Sequence, residues 1–201
     1  MMNDNFLEVV MTRRSVRDFK KGVIPPEDIE KILRAGTMAP SPSNSQPWQF
    51  HIIRGSAKEK LIEVLANTSS IPAVWQQPVV KGIGTVPVVV AVENPVFTSK
   101  ASTTTSQGTS ACTSDRSKDI TSLGSLLGTA ACVENMLLTT HSLGYGSVWI
   151  GSPGVLEAAK QVIETSGQIV AVLPIGHPAD DQKEYFNRSR KPVEEVARFY
   201  S

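Results

Sequence analysis

Cysteine is scarce in this sequence. The chain of 201 residues contains two cysteines, Cys112 and Cys132, and neither belongs to a CxxC or CxxH pair. A structural zinc site needs several cysteine or histidine ligands at close spacing, so we expect no metal centre. The lack of a disulfide framework is typical of proteins that fold in a reducing compartment, and we therefore predict a cytoplasmic protein.

An excess of charge of one sign is missing as well. Lysine and arginine number 20 against 19 aspartates and glutamates, which gives a formal net charge of +1. General binders of nucleic acid or membrane surfaces carry a strongly basic field, so this balance argues against both partners. No apolar run is long enough to cross a bilayer, and residues 1–11 include acids, so we expect neither an anchor nor a signal peptide.

Histidines are also few. His51, His141 and His177 lie far apart in the sequence and form neither a ligand cluster nor a recognisable catalytic triad. We expect each of them to be a hydrogen-bonded side chain of a strand, a helix or a turn. The sequence thus contains little that would serve as a protein nucleophile with its base.

Two basic clusters stand out against this neutral background. They are Arg13-Arg14-Ser15-Val16-Arg17 and, near the other end of the sequence, Arg188-Ser189-Arg190-Lys191. Arg13 and Arg17 are four residues apart, so a helical turn would place both guanidinium groups on the same side. Guanidinium groups match phosphate oxygens bidentately, which favours a phosphate monoester held between the two clusters. The alternative is a solvated basic face paired with Asp18.

The apolar pattern predicts one domain over residues 1–201, with no internal repeat. Helices are predicted at residues 6–11, from 26 to a stop before 40, and at 57–67, 119–143 and 154–163; strands are predicted at 48–53, 86–92, 147–150 and 169–175. Residues 68–85 have no clear pattern. Because strands and helices do not alternate regularly, an α+β fold is favoured over a doubly wound sheet.

The helix predicted at residues 119–143 is apolar around most of its circumference, so we expect it in the middle of the protein. Gly124 and Gly128 on this helix would let another backbone approach closely, as in a tightly packed helix pair. Two segments are predicted to be irregular. Residues 39–47 are dense in proline and serine, and residues 99–117 are rich in serine and threonine and are expected to form a mobile loop or lid.

Four features, taken in order, resemble the nitroreductase family. They are the first basic cluster, the loop and tryptophan at residues 39–48, the Leu143-Gly144-Tyr145-Gly146 turn that leads into Trp149-Ile150-Gly151, and the late Arg188 and Arg190. The resemblance extends over nearly the whole chain. It implies a nitroreductase-like α+β fold with a mixed central sheet flanked by helices. It also implies an interlocked homodimer built around a central helix pair, with one FMN at each end of the interface.

The resemblance further implies which residues bind FMN. Within one subunit these are Arg13, Arg14, Ser15, Arg17, Ile150, Gly151, Arg188 and Arg190. The other subunit would contribute Pro40, Ser41, Pro42 and Asn44. The arginines and the serine would hold the phosphate and ribityl chain and reach the pyrimidine edge, whereas Ile150 and Gly151 would lie near flavin N5. Asn67 or Lys81 are candidates for ring contacts. From the residues alone, Asn44 could equally shape only its own turn, and Gly151 could be only a strand end.

The activity that the resemblance implies is that of an FMN-dependent oxidoreductase. It would pass hydride or electrons from NAD(P)H to nitroaromatics, quinones or similar electron-poor acceptors, with Arg17 as the cation near the pyrimidine edge. The sequence has no GxGxxG after a strand, so donor and acceptor are expected to use one flavin face in turn, by a ping-pong mechanism. Two alternatives stay open. One is specialised flavin chemistry, such as oxygen-dependent flavin use or a small-molecule dehydrogenase, and the other is a non-catalytic flavin-binding dimer.

Overall fold

The computed structural model of the protein describes residues 4–96, 116–165, 167–180 and 189–200. The helices in these residues are α1 (Asp4–Thr12), α2 (Pro26–Thr37), α3 (Gly55–Asn67), α4 (Ala73–Thr85), α5 (Arg116–Ser142), α6 (Pro153–Ile163) and α7 (Val193–Val196). The strands are β1 (Phe19–Lys20), β2 (Gln49–Ile53), β3 (Val88–Asn94), β4 (Gly146–Ser147) and β5 (Gln168–Pro178). A short 3₁₀ helix covers Pro42–Asn44.

A five-stranded sheet runs through the centre of the molecule in the order β1-β5-β3-β2, with β4 also paired to β5. These pairings are antiparallel. Every residue of β3 is buried, which explains why its sequence, VVVAVEN, is a nearly continuous apolar run without an exposed face. Both faces of the sheet are therefore covered by helices.

Alternation along β3 divides the core into two layers. Val88, Val90 and Val92 pack on one face of the sheet with apolar side chains of α2 and α5, such as Ile32 and Met136. Val89 and Ala91 pack on the other face with side chains of α3, α4 and α6; these include Leu61, Leu65, Ile83, Val155 and Ala158. The mixture of helices with an antiparallel sheet is the α+β architecture that the sequence predicted.

The long helix α5 contributes Cys132, Val133, Met136 and Leu137 to the core but leaves Leu123 and Leu127 exposed, so in the single chain it is only partly covered. Its two glycines have an unexpected neighbour. A Cβ atom on Gly124 would lie 2.9 Å from Cγ of Pro42, and one on Gly128 would lie 3.2 Å from the carbonyl oxygen of Pro40. Within the described residues, the Pro42 ring therefore approaches Gly124 and the backbone of residues 40–41 approaches Gly128, and neither glycine meets a second α-helix. The tight helix contact of this chain is instead between α2 and α5, where a Cβ on Gly36 would lie 2.9 Å from Cγ of Met136.

The loop against α5 has an unusual backbone. Ser43, Asn44 and Gln46 have φ angles of 50°, 54° and 45°, in the left-handed region that non-glycine residues rarely adopt. A buried polar network supports it: Thr129 Oγ donates to the carbonyl oxygen of Pro47 at 2.9 Å, and Asn94 Nδ2 donates to Thr129 Oγ at 2.9 Å. Packing and hydrogen bonds from α5 and β3 thus hold a strained loop in one conformation.

Three sequence-based expectations about local structure need comment. Helix α1 ends at Thr12, so the prediction that a helical turn aligns Arg13 with Arg17 is wrong. Residues 68–85, which had no clear pattern, contain α4. The lid predicted at residues 99–117 lies outside the described residues, except that 116 and 117 begin α5.

Candidate functional site

A cavity of about 580 Å³ is lined by residues that follow α1, by α4, by the segment between β4 and α6, and by Arg190. Its volume lies within the range of about 300–1,000 Å³ that is usual for small-molecule sites. The predicted FMN-binding residues found in its lining are Arg13, Arg14, Ser15, Arg17, Ile150, Gly151 and Arg190. The fold therefore brings both ends of the chain to one cavity.

Strand pairing, rather than a helix, positions the first basic cluster. The N–H of Val16 donates to the carbonyl oxygen of Ser147 at 3.0 Å, and Ser15 forms a parallel bridge with Ser147. This pairing connects the segment at residues 13–17 to β4, and it accounts for the extended backbone after α1. It links positions that are far apart in the sequence, so local spacing could not reveal it.

The arginines of this segment have different partners. Arg14 Nη1 donates to the carbonyl oxygens of Met11 at 2.8 Å and Arg13 at 2.9 Å, which satisfies backbone acceptors at the C-terminal end of α1. Arg13 Nε lies 3.5 Å from Glu134 Oε1 on α5. Arg14 therefore stabilises the turn, whereas Arg13 is held beside the cavity by an acid that lies outside its lining.

The charges and apolar groups of the lining fit a phosphate ester of a flat ring system. Four arginines and no carboxylate occur among the described lining residues, so the field favours an anion. The part of the lining that we call the α4 wall is apolar and consists of Ile71, Pro72, Trp75, Pro78, Val79, Gly82 and Ile83. A phosphate group suits the arginines of the lining, and a planar ring suits the apolar α4 wall. FMN contains both of these groups.

Ile150 and Gly151 are not equivalent as hydrogen-bond donors to a ligand. The N–H of Ile150 donates to the carbonyl oxygen of Val172 at 3.0 Å, and Val172 returns the bond at 3.0 Å. The N–H of Gly151, which also lies in the cavity lining, has no acceptor among the described residues. Of the two residues, Gly151 is the one whose backbone can donate to a bound molecule.

Several predicted site residues are not in this cavity. Pro40, Ser41, Pro42 and Asn44 do not line it; their loop packs against α5 instead. Arg188 lies outside the described residues. Asn67 and Lys81, the candidates for ring contacts, do not line it either, and Asn67 Nδ2 donates to the carbonyl oxygen of Glu63 at 2.9 Å.

The α4 wall was missed because its helix was not recognised in the sequence. Pro78 lies inside α4, and the buried residues of the helix are Gly82 and Ile83, so no apolar stripe marks it. The available signal was weak, because Pro72 is the N-cap of α4 and stands one residue before the first helical position, which is the one that proline favours. Gly82 matters for the site because a Cβ there would lie 3.1 Å from the carbonyl oxygen of Arg17.

Candidate protein nucleophiles and bases are engaged elsewhere. His51 pairs with Glu93 at 2.7 Å, His141 is hydrogen-bonded to Thr12 Oγ at 2.9 Å, and His177 donates to the carbonyl oxygen of Val23 at 3.0 Å. The prediction that the histidines are hydrogen-bonded structural side chains is therefore confirmed, and none of them lines the cavity. Burial raises the pKa of the Cys132 thiol to about 12, so this thiol stays protonated.

Two features are absent from the part of the chain that the structure describes. Among these residues, no group of histidine, cysteine, aspartate or glutamate side chains is arranged to hold a metal ion. No helix in the same part of the chain has both the length and the apolar character needed to cross a membrane.

The fold and the cavity define an α+β protein with a site for an anionic, planar cofactor. The sequence profile of the Nitroreductase family matches residues 10–177, and the chain therefore belongs to the nitroreductase family of oxidoreductases. A protein of Archaeoglobus fulgidus with the provisional name NADH dehydrogenase/NAD(P)H nitroreductase is 29% identical, over 89% of this chain and 88% of its own length.

Solved structures agree with this fold. The FMN-dependent nitroreductase NfnB from Mycobacterium smegmatis, solved in complex with NADPH, superposes with a TM-score of 0.75 over 100% of both chains at 15% identity. A protein from Desulfovibrio desulfuricans, provisionally described as a nitroreductase and solved with FMN, has a TM-score of 0.68 and 25% identity, over 98% of this chain and 96% of its own. The predicted nitroreductase-like α+β fold is confirmed.

Proposed function

We propose that this protein is an FMN-dependent oxidoreductase that uses NAD(P)H to reduce nitroaromatics, quinones or similar electron-poor acceptors. The observation that supports this most directly is the cavity itself, in which Arg13, Arg17 and Arg190 meet the apolar α4 wall. Family membership and the two structural relatives, one solved with FMN and the other an FMN-dependent nitroreductase solved with NADPH, support the same cofactor and donor.

Each part of the lining has a role in this proposal. Arg13 and Arg190 bind the phosphate, and Ser15 adds a small donor beside them. Arg17 supplies a positive charge near the pyrimidine edge, where a cation favours the reduced cofactor. The N–H of Gly151 donates to a ring acceptor, while the α4 wall excludes water from the ring. Bound FMN itself supplies the electron transfer between NAD(P)H and the acceptor.

The proposal includes a homodimer in which residues 40–44 of one subunit complete the cofactor site of the other. Two features support this assignment. These residues lie outside the cavity of their own chain, and their loop contains three non-glycine residues with left-handed backbone angles. Strained backbone of this kind is concentrated at functional sites. A reducing, cytoplasmic location fits a buried, unpaired Cys132.

The proposed function is tested by spectra of the purified protein. We expect the protein to be yellow and to release FMN, not FAD, on denaturation. Anaerobic NAD(P)H should bleach the flavin, and a nitroaromatic or quinone added afterwards should restore its colour, as required for two separable half-reactions. Bleaching that needs the acceptor to be present would overturn the ping-pong mechanism. A flavin that dithionite reduces but NAD(P)H does not would favour the alternative of specialised flavin chemistry.

A further inference from the structure

Trp75, in the α4 wall, is a large aromatic residue that does not pack into the hydrophobic core. Its side chain is 59% exposed although it lines the cavity, and it belongs to neither of the two core clusters of described residues. An exposed indole contributes little to folding, because most of its apolar surface stays in water. The same surface remains available to a ligand that enters the cavity.

Within the α4 wall, the helix itself has an exposed end and a buried end, whereas Ile71, before the helix, is buried. Trp75 lies in the first turn of α4, whereas Gly82 and Ile83, near its last turn, are buried. A retained cofactor ring is best protected at the buried end, beside Gly82 and the backbone of Arg17. A substrate that must enter and leave at every turnover needs the exposed end, and Trp75 is the aromatic surface there.

The backbone around Trp75 is held firmly from two directions. The side-chain amide of the next residue, Gln76, reaches the carbonyl oxygens of Leu65, Ala66 and Thr68, each at 3.0 Å, at the C-terminal end of α3. Before α4, the chain packs so closely on α6 that a Cβ on Gly154 would lie 2.8 Å from Ile71 Cγ1. Trp75 is therefore presented from a fixed helix end, and a ligand that stacks on it has little backbone to order.

We propose that Trp75 is the stacking surface for the electron acceptor and that Gln76 is the residue that positions it. The inference rests on the proposed function of this cavity and adds the residue by which flat, electron-poor aromatic acceptors would bind in preference to non-planar ones. An indole face is electron-rich and polarisable, so it attracts an electron-poor ring in an offset stack. Trp149 also lines the cavity, but its Nε1 donates to the carbonyl oxygen of Val170 at 3.1 Å, which fixes the orientation of its ring.

The first test measures binding without turnover. Oxidised holoenzyme is dialysed against nitrobenzene in the absence of NAD(P)H, for the wild type and for Trp75→Ala, Trp75→Phe and Val74→Ala. Val74 is the matched control because it is the neighbouring residue, is 73% exposed and does not line the cavity. We expect Trp75→Ala to raise the Kd about tenfold, which corresponds to about 1.4 kcal/mol, with Trp75→Phe close to the wild type and Val74→Ala unchanged.

The second test separates stacking from general damage. In Trp75→Ala, the KM for nitrobenzene should rise about tenfold, and the ratio of kcat/KM for nitrobenzene to kcat/KM for ferricyanide should fall about tenfold, because ferricyanide has no aromatic ring to stack on the indole. For the positioning role, Gln76→Leu should weaken nitrobenzene binding in the wild-type background and have no further effect in Trp75→Ala. Equal losses in both backgrounds would remove Gln76 from the proposal.

Three results would overturn the stacking surface. They are an unchanged Kd in Trp75→Ala, no detectable nitrobenzene binding by the wild-type protein, and loss of FMN from Trp75→Ala, which would place the indole on the cofactor. These outcomes are separable from failure of the proposed function. If NAD(P)H does not bleach the wild-type flavin, the reductase activity is excluded, and dialysis still decides whether Trp75 binds a flat aromatic compound.

Discussion

The arginine side chains near the cavity differ in their contacts, and these contacts separate a structural role from a role in the cavity. Arg14 donates to backbone carbonyls at the end of α1, so its main effect is on local structure. Arg13 faces Glu134 across a 3.5 Å ion pair and also lines the cavity, as does Arg190 from the other end of the chain. Under the proposed function, Arg13 and Arg190 are the two residues assigned to the phosphate of an anionic ligand.

Charge reversal at either of these two residues should release the cofactor. For Arg13→Glu or Arg190→Glu, we expect FMN affinity to fall by roughly a hundredfold or more, about 2.7 kcal/mol, because the phosphate then meets a carboxylate in place of a cation. Flavin fluorescence titration measures this Kd. Arg34→Glu is the control, since Arg34 is an exposed residue in the last turn of α2 and lies outside the cavity lining. Wild-type affinity in both cavity variants would exclude the phosphate assignment.

His141 should make the fold sensitive to mild acid. Burial, and then the positive charges of Arg13 and Arg14, lower the pKa of His141 below its ordinary value of 6.5. As the pH falls through 6.5, the unfolded chain binds a proton at this position and the folded protein does not, so the free energy of unfolding decreases until the folded pKa is reached. This loss is absent above pH 6.5.

The histidine effect can be isolated with His141→Gln, which retains a hydrogen-bonding side chain near Thr12. Urea unfolding at about pH 8 and about pH 5.5 gives the change in unfolding free energy for each protein. We expect a smaller decrease in the variant than in the wild type. If the two proteins lose the same free energy between these pH values, His141 does not contribute to the acid sensitivity.

At the scale of secondary structure, the elements with strong apolar periodicity could be predicted from the sequence. The face of α2 that contains Ile29 and Ile32 and the continuous apolar run of β3 both became core. Helix α4 could not be predicted, because Pro78 interrupts it and its buried residues form no stripe. The basic cluster was predicted to be a ligand site, but its helical conformation was wrong because pairing with Ser147 extends the backbone.

Two glycines of α4 form a matched pair for testing how closely this helix approaches the arginine segment. A Cβ on Gly82 would lie 3.1 Å from the Arg17 carbonyl oxygen, whereas one on Gly84 would have ordinary contact with Ile62 Cδ1 at 3.8 Å. Both alanine variants gain helix propensity, worth up to about 1 kcal/mol. We expect Gly84→Ala to be stabilised with normal FMN affinity, and Gly82→Ala to bind FMN about fivefold more weakly because the Arg17 backbone is displaced.

Two measurements on these variants separate the effect on the helix from the effect on the cofactor site. Thermal unfolding of the apoproteins reports the helix effect, and flavin titration reports the site. Equal FMN affinity in the two variants would show that the close contact between α4 and Arg17 is not needed for cofactor binding.

At the scale of the whole molecule, large apolar side chains remain exposed on α1 and α5. Phe6 and Met11 on α1 are 59% and 72% exposed, and Leu123 and Leu127 on α5 are 56% and 61% exposed. A monomer gains nothing from a row of exposed leucines on its central helix, whereas a second copy of the chain would bury them. This pattern supports the proposed homodimer.

Leu127→Glu should separate the subunits and lower FMN retention at the same time, because a buried, unpaired carboxylate disfavours the interface. Sedimentation and the flavin-to-protein ratio are measured on the same samples over a dilution series. Val23→Glu is the control, since Val23 is 81% exposed and lies outside the helices and strands. A wild-type monomer that keeps its full flavin content on dilution would contradict both the dimer and the shared site.

The joining of Arg13 and Arg190 at one cavity also has a consequence for the order of events in biosynthesis. During translation the first cluster leaves the ribosome long before the second, and most of the fold can form in that interval. Under the proposed function, a nascent chain at this stage has only the first of the two basic clusters that bind the phosphate, so it cannot retain FMN. Until Arg190 has emerged, the chain would therefore be exposed to proteases without the stabilisation that a bound cofactor gives to the folded state.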